Sequence, residues 1–89
     1  MASLDAAGAY ELHPHVALRP EPFGALAYHY DNRRLTFLRS PAMVELVCSL
    51  RRHDSLADAL AAAGVPEPKR PAYLSALALL QASEVIRAR

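Results

Sequence analysis

Apolar and polar positions alternate through Leu26-Ala27-Tyr28-His29-Tyr30 and again through Leu35-Thr36-Phe37-Leu38, with Asp31-Asn32-Arg33 between the two runs. Alternation with a period of two marks half-buried strands, and Asx residues between them favour a tight reversal. The pattern predicts a β-hairpin. With Asn32-Arg33 as its loop, Tyr30 would oppose Leu35 and Tyr28 would oppose Phe37 on one face. His29, Thr36, Ala27 and Leu38 would share the other. The aromatic face is expected to pack as core, holding the hairpin against the rest of the chain.

Upstream, residues 1–10 are small and polar and are expected to form a flexible tail. The run His15-Val16-Ala17-Leu18-Arg19 has strand character and is expected to stop at Pro20-Glu21-Pro22, because proline cannot donate to a ladder. With the hairpin it makes a three-stranded antiparallel meander.

Downstream the period changes. Ser40-Pro41 supplies a helix cap and a proline for the first helical position. Met43, Val47 and Leu50 then recur at helical spacing. Ser55 starts a second helix that ends at Gly64, a residue suited to the left-handed C-terminal position. A third helix is expected from about Pro68 to Ser83, with Tyr73, Leu74, Leu77, Leu80 and Gln81 along one side. Val85-Ile86 forms a last apolar patch. Strands first and helices after indicate an α+β fold in a single domain over residues 11–89.

Composition narrows the function. Eighty-nine residues give one small core, and ten Lys/Arg against nine Asp/Glu leave a net charge of +1. That balance offers no general attraction to nucleic acid or to anionic membranes. Cys48 is the single cysteine, so no internal disulfide can form. No run is long and apolar enough to span a membrane and no secretion signal is present, so a cytoplasmic protein is expected.

Catalytic equipment is missing from the pattern. Cys48 lies mid-helix among apolar residues and reads as an inert core thiol. His13-x-His15 with His29 or His53 is a weak metal pattern without paired cysteines. The carboxylates are scattered and the three glycines isolated, so no phosphate loop exists. The chain is therefore expected to be no enzyme and to hold no metal or cofactor. A winged-helix DNA-binding or regulatory domain is the alternative, since a small sheet with three helices also describes that fold. Its recognition helix would need polar and basic residues that the third helix offers only at Lys69-Arg70.

Peptide binding fits the residues best. The strand Arg34-Leu35-Thr36-Phe37-Leu38-Arg39 is last in the meander and carries no proline or lysine to guard its edge. Such an edge can accept an extended peptide as an added strand. It can also pair with itself, so a homodimer of the free protein is compatible with this reading.

The block running from His13-Pro14-His15-Val16-Ala17-Leu18-Arg19-Pro20-Glu21-Pro22 through Phe23-Gly24-Ala25-Leu26-Ala27-Tyr28-His29-Tyr30, then Arg33-Arg34-Leu35-Thr36-Phe37-Leu38 and Ser40-Pro41, resembles the peptide chaperones of mycofactocin biosynthesis, the MftB family. Ala63-Gly64-Val65 and Pro71-Ala72-Tyr73-Leu74 resemble it too. More widely the chain is similar to PqqD-like RiPP recognition elements, which are winged-helix-like domains of three strands and three helices. The resemblance implies that the chain binds the leader of a ribosomal precursor peptide and presents it to a radical S-adenosylmethionine maturase acting on a C-terminal Val-Tyr. It further implies that the leader adds beside the third strand at Arg34, Leu35, Thr36, Phe37 and Leu38, flanked by Arg33 and Arg39. The other wall of the groove would be Tyr73, Leu74, Leu77 and Gln81 of the third helix. Leaders of this type are acidic, which would suit Arg33, Arg34, Lys69 and Arg70. Neither nucleic acid nor membrane is an implied partner.

Overall fold

A computed structural model describes residues 4–89. Its elements are β1 (Tyr10–Leu12), β2 (Val16–Glu21), β3 (Gly24–His29), β4 (Leu35–Leu38), α1 (Pro41–Ser49), α2 (Leu56–Ala62), α3 (Arg70–Ala82) and β5 (Ile86–Ala88). The strands β2-β3-β4 form an antiparallel sheet in that order, and β1 pairs with β5 in a separate two-stranded ribbon. The expected α+β class, with the meander first and three helices after it, is what the chain adopts.

The caps act as their chemistry requires. Ser40 Oγ accepts the Met43 amide at 3.3 Å and Ser55 Oγ accepts the Asp58 amide at 3.1 Å. Each satisfies one of the donors that a helix start leaves without a partner. Gly64 closes α2 at φ +74°. The third helix proper begins at Arg70, preceded by a 3₁₀ turn over Glu67–Lys69, so helical geometry starts at the proline-rich link.

The hairpin differs from expectation in two ways. Its register is shifted by two residues, pairing Tyr28 with Leu35 and Leu26 with Phe37. The His29 amide donates to the Arg34 carbonyl at 3.0 Å and the Arg33 amide to the His29 carbonyl at 2.8 Å, which leaves a four-residue loop over 30–33. Arg33 takes the left-handed position at φ +60°. Asn32 serves through its side chain instead, its Oδ1 accepting the Arg34 amide at 2.9 Å.

The second difference is which face is inside. Ala25, Ala27, His29 and Leu38 are buried, whereas Tyr30, Leu35 and Phe37 are 58%, 59% and 55% exposed. The aromatic face expected in the core is the outer face. Helix α1 packs against β3, and its buried Leu46 and Val47 join Ala25 and Ala27 in one cluster. Two alanines let helix and sheet approach closely, and bulky rings there would force them apart. Leu46, Val47, Leu50, Leu56, Leu60, Leu77 and Ile86 fill the interior, each contributing roughly 1.5–3 kcal/mol by leaving water.

Two segments are more ordered than the sequence suggests. Residues 1–3 of the expected tail lie outside the described residues, but residues 4–10 are held. The Leu56 and Ala57 amides, both at the start of α2, donate to the Gly8 and Ala6 carbonyls at 2.8 and 2.9 Å, and Tyr10 is buried. The patch at Val85-Ile86 leads into β5, where Leu12 pairs with Ile86 and Glu11 meets Arg87 Nε at 2.8 Å. Finally, β2 continues through Pro20 to Glu21 instead of stopping there.

Candidate functional site

Strand β4 is an edge of the meander, and the ladder fixes which of its amides are free. Residues of an antiparallel strand turn their backbone groups alternately toward and away from a neighbour. The bond from His29 to Arg34 sets the phase, so Thr36 and Leu38 face Ala27 and Ala25. Leu35, Phe37 and Arg39 therefore turn their amides outward. The opposite edge follows the same rule with a different result. The Tyr30 amide donates to the His15 carbonyl, so β2 bonds β3 through residues 17, 19 and 21 and turns Val16, Leu18 and Pro20 outward. Pro20 costs no ladder bond there and removes a donor from the outer edge. One edge is guarded and the other is open.

Beside the open edge runs an apolar groove of about 350 Å³. Thr36, Phe37, Leu38 and Arg39 form one wall, Ser40 and Met43 its floor, and Ala76, Leu79, Leu80 and Ser83 of α3 the other wall. Leu79 is 70% exposed, a large apolar side chain on the groove. The Arg39 guanidinium lies over the Phe37 ring, 5.4 Å from its centroid.

The expected site residues separate along this surface. Arg33, Arg34 and Leu35 are exposed at the turn end of β4, and Thr36, Phe37, Leu38 and Arg39 line the groove. Leu38 does so with its backbone, since the residue is only 2% exposed. On α3, Leu77 is fully buried, Leu74 and Gln81 are half-buried, and Tyr73 lines a different cavity between the helices. Residues 76, 79 and 83 recur at helical spacing on the stripe beside the expected one. Leu79 was the readable signal: it is a leucine off the buried Leu77 and Leu80 positions. Lys69 is exposed, whereas the Arg70 guanidinium is tied to the Val65 carbonyl at 3.3 Å.

Cys48 is exposed, not core as expected, because Leu46, Val47 and Leu50 are the buried positions and residue 48 points away from them. The metal-type residues do converge in part. Donor atoms of His13, His29 and Asp31 lie within 4.8 Å of one another, and His15 Nδ1 is 2.8 Å from Asp31 Oδ2. However, His13 Nδ1 accepts the His15 amide at 3.0 Å and His29 Nδ1 accepts the Asp31 amide at 3.1 Å. Both neutral rings then carry their proton on Nε2, so a cation would have to displace a turn-forming hydrogen bond. The cluster reads as a lock on two turns. Burial, followed by the nearby His29 and Arg87, holds the His13 pKa below its ordinary value, and the hydrogen bond from His15 holds Asp31 low.

An open strand edge beside an apolar groove, on a small α+β scaffold, defines a module suited to accept an extended chain segment. Comparison with known proteins gives the family. Residues 9–87 match the peptide chaperone MftB family, and the chain belongs to it. A peptide chaperone MftB from Mycolicibacterium smegmatis is 47% identical over 77 residues, covering 86% of this chain and 76% of the relative. Those of Mycobacterium ulcerans and Mycobacterium tuberculosis are 43% and 40% identical, each with 71% of its length covered. No solved structure matches the chain. Its role is that of a peptide chaperone, which is not a catalytic one.

Proposed function

We propose that the chain binds the leader of the mycofactocin precursor peptide and presents it to a radical S-adenosylmethionine maturase. The leader adds to β4 as a fourth strand, bonding the backbone of Leu35, Phe37 and Arg39, and sets apolar side chains against Met43, Ala76 and Leu79. The observation that carries this reading is the asymmetry of the sheet: Pro20 guards one edge while β4 offers a free row of amides above a groove. Family membership supports the peptide as the ligand class. Arg33, Arg34 and Arg39 suit an acidic leader. Binding one end of the precursor leaves its C-terminal end for the enzyme, in the cytoplasm where a ribosomal product is made.

Calorimetry and amide-shift mapping with the precursor test this reading. The expected result is saturable binding with shifts at residues 35–39 and 76–83, and only a modest salt dependence. Absence of binding, or tight binding to duplex DNA that falls steeply with salt, would overturn it.

A further inference from the structure

Among the described residues, four of the five large exposed apolar side chains, Phe23, Tyr30, Leu35 and Phe37, sit on the outer face of the β2-β3-β4 sheet. Leu26 and Tyr28 lie between them, half-buried. Phe23 packs edge-on against Phe37 with centroids 5.8 Å apart, and Tyr28 against Tyr30 at 5.6 Å. This is a contiguous aromatic surface, of the kind that marks an interaction site.

The ladder shows what fits on it. The sheet presents three outward rows across its strands: Ala17–Tyr28–Leu35, Arg19–Leu26–Phe37, and Glu21–Gly24 with Arg39 one step beyond the last β4 pair. An isologous pair brings the same patch of two copies together. With the two-fold axis along β3, each β2 residue meets the β4 residue of its own row in the second copy. Small Ala17 then faces large Leu35. The Glu21 carboxylate, held at 3.2 Å by Arg19 of its own chain, faces the Arg39 guanidinium, which lies over its own Phe37 ring. Leu26 and Tyr28 meet their own counterparts on the axis, with no like charges there. Across these rows a small side chain faces a large one and an acid faces a base.

We propose that this outer sheet face is a homodimer interface, with a second copy of the chain packed face to face across it. Sheets pack in this way about 10 Å apart with strand directions roughly 30° apart, as their twist requires. The dimer is not an edge-to-edge pair. Both β4 edges stay open, so two grooves remain available per dimer.

Sedimentation equilibrium of the full chain, up to millimolar protein, tests the interface. A dimer is expected. Arg39→Glu and Glu21→Arg each place like charges in contact and should raise its dissociation constant about tenfold or more. The double variant, Glu21→Arg with Arg39→Glu, reverses both partners and should return the constant close to the original, with circular dichroism confirming the fold of all three. A monomer throughout, single reversals without effect, or a double variant as weak as the singles would each overturn the proposal. So would a dimer in which the Leu35 and Phe37 amides become protected from exchange, since that marks pairing through the edge. None of these readouts depends on whether the precursor peptide binds.

Discussion

Pro20 and Phe37 lie on opposite edges of one sheet, and both turn their backbone away from β3 between them. Pro20 has no amide to offer at that edge, while Phe37 offers one. The phase that makes Phe37 free also commits Thr36 to the ladder. Thr36→Pro should therefore leave the Ala27 carbonyl without its partner and destabilise the fold by about 2 kcal/mol, read from denaturant midpoints. Phe37→Pro should keep the ladder and weaken peptide binding about tenfold or more by calorimetry. If Thr36→Pro is harmless to the fold while Phe37→Pro unfolds it, the assigned phase is reversed.

Helix α3 offers a second contrast, between leucines two positions apart. Leu77 is fully buried and Leu79 is 70% exposed on the groove. Leu77→Ala should cost about 2–5 kcal/mol of stability. Leu79→Ala should leave stability within about 0.5 kcal/mol. It should nonetheless reduce peptide affinity about tenfold, since roughly 1.5 kcal/mol of apolar contact is removed from the bound state. Unchanged affinity for Leu79→Ala would remove α3 from the binding surface.

Acid should loosen the turn lock before it reaches the carboxylates. The folded-state pKa of His13 is depressed from its ordinary 6.5, chiefly by burial and then by His29 and Arg87. The unfolded chain therefore takes up that proton first, and acid pulls the equilibrium toward unfolding. The contribution is complete above pH 6.5 and is lost as pH falls through the folded value. Glu11 is held below its ordinary 4.5, first by the hydrogen bond from Arg87, and Asp31 below 3.8. Their contributions are lost only at lower pH. Denaturant midpoints should thus begin to fall between pH 6.5 and 4.5, with a shallower slope in His13→Gln. An identical slope in that variant would place the titrating group elsewhere.

Gly24 is fixed by its surroundings. It stands at φ +148°, and a Cβ there would run into the Leu38 carbonyl oxygen, with the Ser40 amide nitrogen 3.0 Å away. These are backbone atoms at the end of β4, so nothing flexible can yield. Gly24→Ala should cost about 2 kcal/mol or more in chemical denaturation. A neutral result would mean that β4 can move away from β3 at this end.

Caps, helices and strand order were legible because each rests on local chemistry: Ser40 with Pro41, Ser55, Gly64, and the alternation around Asn32. What was hidden depends on partners distant in sequence. The hairpin's parity was readable, but alternation alone does not say which face is inward. That was decided by the close approach of α1, which only Ala25 and Ala27 allow. The loop length was hidden because Asn32 acts through its side chain and Arg33 takes the left-handed position. β1 and β5, three residues each, are too short to show a period and form only against each other. In the groove, the β4 wall lies where strand order puts it, whereas the α3 wall came from the family resemblance, carried onto the stripe of Tyr73, Leu74, Leu77 and Gln81. That stripe belongs to the core, and the surface that lines the groove lies beside it.

The ribbon of β1 and β5 also decides how the molecule responds to force. Tyr10 pairs with Ala88, Glu11 with Arg87 and Leu12 with Ile86, so the two ends of the chain leave from the same end of an antiparallel pair. Tension applied through those ends first draws the Ala6 and Gly8 carbonyls off the start of α2, then opens the pairs one after another from Tyr10 and does not load them all at once. Unzipping in this order releases Arg87 from Glu11 next and uncovers Ile86 last. The ribbon is a mechanically soft clasp, and the meander with its open edge bears none of the load until the clasp has parted.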